Sequence, residues 1–227
     1  MARTTPTPIL HRDDPDREPL TGNVKVTRED WLNAALDVLI SDGVERVKVL
    51  TLASRLGVSR SSFYWYFQSR RDLLDTLLRH WQDTNTAAIV GQAEAPAETI
   101  TEAVCNVFRC VVDERLFNNP LDFAVRDWAR RDAKVRRLLD TSDQRRLDAL
   151  ARMFARFGFA AEEAMIRARV LYFMQVGYDL ADLGESTEQR LTLVPMYLFC
   201  FTGQHPAPEE IAAFTAYALS AREGRSS

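Results

Sequence analysis

Histidine and cysteine are scarce in this 227-residue chain, three of each, and they are scattered. His11, His80 and His205 form no H-E-x-x-H pair, and Cys105, Cys110 and Cys200 show no C-x-x-C spacing. An odd, unpatterned cysteine count argues against a structural zinc, a redox pair or a secreted disulfide framework, so free reduced thiols are expected. A glycine-rich phosphate loop and a G-x-S-x-G nucleophile turn are also missing, which removes the sequence support for nucleotide-dependent or acyl-transfer catalysis. No stretch of about 18 apolar residues is present to span a bilayer, and the first residues lack the charged start and apolar run of a secretory signal. A cytoplasmic protein with no membrane partner, no catalytic residue, no metal and no cofactor is expected.

The most informative absence is local. Between Arg46 and Arg71 there is no Asp or Glu, although the whole chain carries a net charge of −3. The same segment holds Arg46, Lys48, Arg55, Arg60, Arg70 and Arg71. An average charge hides a basic patch of this kind, which is what an anionic polymer would meet.

What is present is helical pattern. With 46% hydrophobic residues the chain can bury a real core. Residues 1–25 are rich in Pro, Thr and mixed charge without apolar period, and read as a disordered tail. From Thr27, an N-cap residue, acids fill the first turn and Leu32, Leu36, Leu39 and Ile40 recur at helical spacing until Gly43. The run VLTLASRLG follows, with Val49, Leu52, Ala53 and Leu56 on one face, and Gly57 is free to take the left-handed conformation that closes a helix. Ser59 can cap a further short helix over about 60–67. Helix, tight turn, helix is a geometry that projects the start of the second helix towards a DNA major groove.

That second helix carries FYWYF, Phe63 to Phe67. Phe63 and Phe67 are four apart and share the inward direction of Val58, so they are expected in the core. Arg60, Ser61, Ser62, Tyr64 and Trp65 fall off that face, with Tyr66 at its edge. One short helix cannot bury three further large rings.

The stretch TREDWLNAALDVLISDGVERVKVLTLASRLGVSRSSFYWYFQSRRDLLDTLL, residues 27–78, resembles the N-terminal domain of the TetR-type (tetracycline-repressor family) transcriptional regulators. The turn pattern of that family appears as Leu56-Gly57-Val58-Ser59 followed by Tyr64, Phe67 and Arg70. The resemblance implies an all-α chain, with a three-helix helix-turn-helix head over 26–73 and a larger helical effector-binding and dimerisation domain over 74–227. It implies a double-stranded DNA operator as partner, a homodimer and a small-molecule effector, with repression as the mode of regulation. The implied DNA-facing set is Lys48, Thr51, Arg60, Ser61, Ser62, Tyr64, Trp65, Tyr66 and Arg70, with Tyr64 and Tyr66 on phosphates and Arg70 adding a contact from the start of the next helix. Lys48 stands where the family often has a capping Ser or Thr, Tyr66 where it has His, and Arg70 where it has Lys. The last two replacements keep groups able to bond phosphate.

The remainder reads as helices over about 70–90, 97–116, 119–139 with a break, 143–158, 161–184, 187–202 and 208–222, punctuated by Pro96, Pro120, Gly158, Gly184, Pro206 and Pro208. VRDWARRDAKVRR is expected to be a solvated face, because its arginines interleave with acids at helical spacing. Candidate pocket residues are Phe108, Phe123, Trp128, Tyr172, Met174, Gln175 and Tyr178, large or adaptable side chains with one polar anchor. Candidate dimer residues are Ile166, Val170, Phe173, Gly177 and Leu180 on one helix and Phe214 and Ala218 on the last, since the 161–184 segment carries apolar residues on two sides. A basic interaction module for an acidic protein, and a helical enzyme, are the competing readings. Salt-sensitive binding that still prefers one palindrome would separate a regulator from both.

Overall fold

A computed structural model describes residues 26–181 and 183–223, and among them every regular element is helical. The expected disordered tail, 1–25, lies outside the described residues. The head is α1 (Arg28–Asp42), α2 (Val49–Leu56) and α3 (Arg60–Phe63), with a 3-10 turn, Val44–Arg46, between the first two. Thr27 opens α1 with a reciprocal cap: its side chain accepts from the Asp30 N–H at 3.2 Å while the Asp30 carboxylate accepts from the Thr27 N–H at 2.7 Å. Gly57, at φ 68° and ψ 28°, supplies the left-handed residue that ends α2, and the Val58 N–H reaches back to the Ala53 carbonyl at 3.0 Å. No side chain caps α2 at Lys48.

The body follows as α4 (Arg70–Trp81), α5 (Ala87–Glu94), α6 (Ile100–Val112), α7 (Asn119–Ala129), α8 (Ala133–Arg156), α9 (Ala161–Ala181), α10 (Thr187–Thr202) and α11 (Pro208–Glu223). A π-type segment, Gln82–Thr86, joins α4 to α5 without a loop. Such a widened turn re-aims side chains, and here it turns Asn85 and Thr86 fully inwards. Asn85 then exchanges hydrogen bonds with the backbone of Asn118, 2.8 and 3.2 Å, locking the α4–α5 rod to the start of α7.

Two expected boundaries move. The break between 139 and 143 is absent, because Thr141 donates to the Arg137 carbonyl at 2.9 Å and Ser142 is buried against Gln82, so both hydroxyls are satisfied inside a continuous α8. α6 starts at its Thr99 cap and stops at Asp113, shorter than 97–116. The start of α7 at Asn119 is as expected, with Pro120 in its first turn.

Two buried clusters fill the molecule. The first holds Trp31, Leu39, Leu52, Phe63 and Phe67 of the head together with Leu74, Leu77 and Trp81 of α4, Leu121, Val125 and Trp128 of α7, and Leu139 of α8. The expected boundary at 73/74 therefore cuts through one continuous core, and α1 packs directly on α7. The second cluster is formed by α5, α6, α8, α9, α10 and α11 around Phe108, Phe154, Leu171, Leu198 and Phe214.

Candidate nucleic-acid interface and effector cavity

Phe63 and Phe67 are buried and stacked with centroids 5.3 Å apart, and Trp31 meets Phe63 edge-on at 5.3 Å. This anchor leaves the rest of the aromatic run outside: Tyr64 is 60% and Trp65 79% exposed. Lys48, Thr51, Arg60 and Ser61 are exposed too, and Ser62 is half-buried. α3 itself is one turn long, because the N–H groups of Tyr64, Trp65 and Tyr66 bond three residues back and tighten the chain after Phe63. Ser59 does not cap it through its side chain; its hydroxyl pairs with that of Ser61 at 2.8 Å. The Ser59 side chain therefore accepts from none of the backbone amides at this helix start.

Two expected DNA contacts are corrected. Arg70 turns inwards, Nε donating to the Val47 carbonyl at 2.5 Å and Nη2 to the Val44 carbonyl at 2.6 Å, so its guanidinium pins the 3-10 turn ahead of α2. Tyr66 is half-buried and its hydroxyl donates to the Val26 carbonyl at 2.8 Å, which leaves no proton to offer a phosphate. Arg55 is likewise engaged, with Asp37 at 3.2 Å. Of the six cations in the acid-free segment, Arg46, Lys48, Arg60 and Arg71 stay exposed without an ion-pair partner among the described residues. Sequence reasoning missed Leu50, 64% exposed between Lys48 and Thr51; its spacing from Leu52 puts it off the buried face of α2.

The body holds a cavity of about 290 Å³ walled by Ile89, Val107, Phe108, Leu150, Leu171 and Val176. Phe108, Phe123, Tyr172 and Gln175 line it as expected, with Phe123 half out of the mouth at 52% exposure. Met174 and Tyr178 line an adjoining cavity of about 190 Å³ that shares Phe108, Val111, Asn119 and Gln175 with the first. Trp128 lines neither: it belongs to the core under the head, because the same α7 face that carries Leu121 and Val125 packs against α1 and α4.

The floor of the larger cavity is a charged network that sequence reasoning placed on the surface. Arg146 of α8 is fully buried, its Nη2 2.9 Å from Asp122 Oδ1, its Nη1 donating to the Tyr172 hydroxyl at 2.9 Å and its Nε to Thr86 at 3.1 Å. Arg126 donates to Asp122 at 2.8 Å and to both oxygens of Asp143 at 2.9 and 3.0 Å. The Trp81 indole N–H adds a 2.8 Å bond to Asp122. Burial by itself would raise the Asp122 pKa, but the Arg146 and Arg126 charges overcome it and hold the carboxyl below its usual range. Burial pushes the Tyr172 phenol up. Two arginines and two aspartates make the cluster neutral overall, the condition for keeping four charges in a low-dielectric interior. The visible signal was that Asp122 and Arg126, four apart, flank the apolar positions Leu121 and Val125; the outer half of the run, such as Arg136 with Asp140 at 2.9 Å, is solvated as expected.

Along α9, Ile166, Val170, Phe173, Gly177 and Leu180 form one exposed stripe with alternating spacings of four and three. Phe214 and Ala218 do not join it. They are buried within their own chain, Phe214 against Phe108 at 6.1 Å, because α11 packs its apolar face on α6. The second exposed apolar row lies on α10, Leu193, Met196 and Cys200, and a shallow groove brings Cys200 beside Ile166 and Val170. Cys105 and Cys110 are buried, which pushes both thiols up to about 12, and all three cysteines are free.

No helix among the described residues is long and apolar enough to cross a membrane. Residues 32–77 match the family described as bacterial regulatory proteins, tetR family. The chain is 28% identical over 174 residues to the class C tetracycline repressor protein of Escherichia coli, covering 74% of each chain. It is 29% identical over 173 residues to the class A tetracycline repressor protein from transposon 1721, also of Escherichia coli, covering 73% of this chain and 74% of the relative. The fold is shared with Salmonella enterica GusR, at a TM-score of 0.61 and 18% identity over 81% of this chain and 97% of that one. Mycobacterium smegmatis AmtR gives 0.55 and 21% over 88% and 97%. With its family match lying on the segment that exposes Arg60, Tyr64 and Trp65, and its repressor relatives aligned over 73–74% of its length, the chain carries a tetR-family head at residues 32–77 and is a DNA-binding transcriptional regulator.

Proposed function

We propose that the chain acts as a cytoplasmic homodimer that seats two α3 turns in successive major grooves of a near-palindromic operator, represses transcription there, and lets go when a small molecule enters the α6–α9 cavity. The observation that carries the reading is the exposed, acid-free face of Lys48, Thr51, Arg60, Ser61, Tyr64 and Trp65, supported from beneath by the buried Phe63–Phe67 anchor. Cations and hydroxyls can fix register on phosphates, while the exposure of Arg60 at the start of α3 supports its use on a base edge. The relatives named as tetracycline repressors support repression.

Dimerisation is supported by the stripe on α9 and the row on α10, two adjacent apolar faces that none of the described residues covers. A two-fold axis would bury each stripe on its own copy in the partner. Effector response is supported by connectivity. Asp122 and Tyr172 line the cavity, yet the same network reaches Trp81 on α4 and runs through α7, which packs on α1 of the head. A molecule that fits one arrangement of this network better than another shifts the head by that difference in affinity and by no more.

Selection of bound sequences from a random duplex pool tests the reading. A single near-palindrome is expected, with half-sites about 10 base pairs apart, bound by a species that sediments as a dimer and released steeply by salt. Enrichment of no sequence, or specific binding by a monomer, overturns it.

A further inference from the structure

The cavity lining contains two carboxylates that the neutral network does not absorb, Asp127 and Asp179, and Asp179 has the fuller set of described contacts. Asp179, on the last turns of α9, lines the larger cavity with a side chain 27% exposed. Its Oδ1 accepts from Gln175 Nε2 at 2.8 Å and lies 4.0 Å from Arg190 Nη2 of α10, the outer limit of an ion pair. Arg190 is held over the Tyr178 ring at 4.7 Å, so it compensates the carboxylate only in part. Oδ2 has no partner among the described residues.

The basic groups around the same cavity are otherwise spent. Arg126 and Arg146 serve Asp122 and Asp143, and Arg136 of α8 pairs with Asp140. Arg130, just past the end of α7, is exposed, where water and salt screen its charge. Asp127 of α7 adds a second carboxylate to the lining. We propose that the effector is a lipophilic amine, an apolar body that fills the space between Phe108, Leu150, Leu171 and Val176 and carries a protonated nitrogen to the open oxygen of Asp179.

The proposal rests on the effector reading above and adds the charge and class of the ligand. Burial is also what raises the Asp179 carboxyl to about 6, against the lowering effects of Gln175 and Arg190 and with a smaller raising effect from Asp122. A group whose ionised form is held at a cost is one that a bound cation relieves. An ammonium ligand should therefore bind well at pH 7.5 and lose about tenfold in affinity at pH 5, where only about one carboxyl in ten is ionised before binding.

Calorimetry on the full chain with three probes sharing one body decides it: 2-(1-naphthyl)ethylamine, the corresponding alcohol and the corresponding carboxylic acid. The amine is expected to bind about 10- to 100-fold tighter than the alcohol at pH 7.5, the range of a hydrogen bond to a charged group. Asp179→Asn, checked for an intact fold by circular dichroism, should bring amine and alcohol together. Equal binding of amine and alcohol, tighter binding of the acid, an unchanged amine preference in Asp179→Asn, or no amine binding at all overturns the proposal. Operator release is read in parallel. Release by the alcohol or the acid without an amine preference keeps the effector reading and removes the cation; an Asp179-dependent amine that leaves the operator bound keeps the cation and removes the effector reading.

Discussion

The recognition turn and the cavity floor are built from the same residue types and treat them in opposite ways. Trp65 and Tyr64 stand in solvent, whereas Trp81 and Tyr172 are buried with their polar atoms bonded to Asp122, Asp143 and Arg146. Arg60 is exposed without a carboxylate partner among the described residues; Arg146 is fully buried against one. The difference teaches where binding capacity can be held in reserve. An exposed cation keeps its hydration and gives up little when a phosphate replaces water. A buried one must be matched before any ligand arrives. The head can therefore leave its DNA contacts unmade in the free protein, while the body can leave open only a partly hydrated group such as Asp179.

The hardest test of that contrast is Arg146→Met. Removal of one partner strands Asp122 beside a cavity with Arg126 alone, and should cost roughly 3–5 kcal/mol of stability, the range for a broken buried pair. Urea denaturation reads it directly. A loss under about 1 kcal/mol, the worth of an exposed pair, would show that water reaches the network and that floor and head are not opposites.

Arg70→Ala sharpens the boundary between the two regimes. If the guanidinium pins the Val44 and Val47 carbonyls, the variant loses about 1.5–3 kcal/mol of stability, as for one hydrogen bond to a charged group, and DNA affinity falls through disorder of α2. Unchanged stability with a salt slope lower by about 1 would make it a phosphate contact instead.

This residue also marks how far the sequence could be read. The ends of α1 were legible because Thr27, Asp30 and Gly43 act on their own neighbours, and the inward direction of Phe63 and Phe67 followed from a spacing of four. Arg70 and Tyr66 were not, since their acceptors are main-chain carbonyls 23 to 40 residues away, which leave no pattern in side-chain identity. Trp128, expected in the pocket wall, packs under the head instead, because periodicity gives a face and not the element it packs on. The network was hidden for the same reason: an i,i+4 Asp–Arg pair looks alike on a wet face and on a dry one until α8 and α9 supply Arg146 and Tyr172.

A smaller effect is expected from pH. Asp179 has a folded-state pKa raised to about 6 from 3.8, so the folded chain binds more protons than the unfolded chain between those values. Stability then falls as pH rises from about 4 towards 6 and levels off above it. Melting temperatures of the chain and of Asp179→Asn, compared at pH 4.5 and 7.5, should converge at the acid end and diverge at neutral pH, with the asparagine variant the more stable. Divergence in the other direction would mean that Arg190 closes on the carboxylate and that the cavity holds no unmatched charge.

The smallest change in stability, and the cleanest statement of the contrast, belongs to Trp65→Ala. Tyr64 keeps an edge contact with Phe63 at 5.3 Å, so its removal mixes packing with function. Trp65 is 79% exposed, and its truncation should leave the unfolding free energy within about 0.5 kcal/mol, as for a surface position without a special role. If the indole meets DNA, the same variant loses roughly 1–3 kcal/mol of operator affinity, the scale of a base-edge contact, and the loss differs between operators altered at the base pair it touches. A uniform loss across sequences would place Trp65 on the sugar-phosphate backbone. A loss of stability without a loss of affinity would place it in the fold, and the separation of recognition from packing on this turn would fail at its most exposed residue.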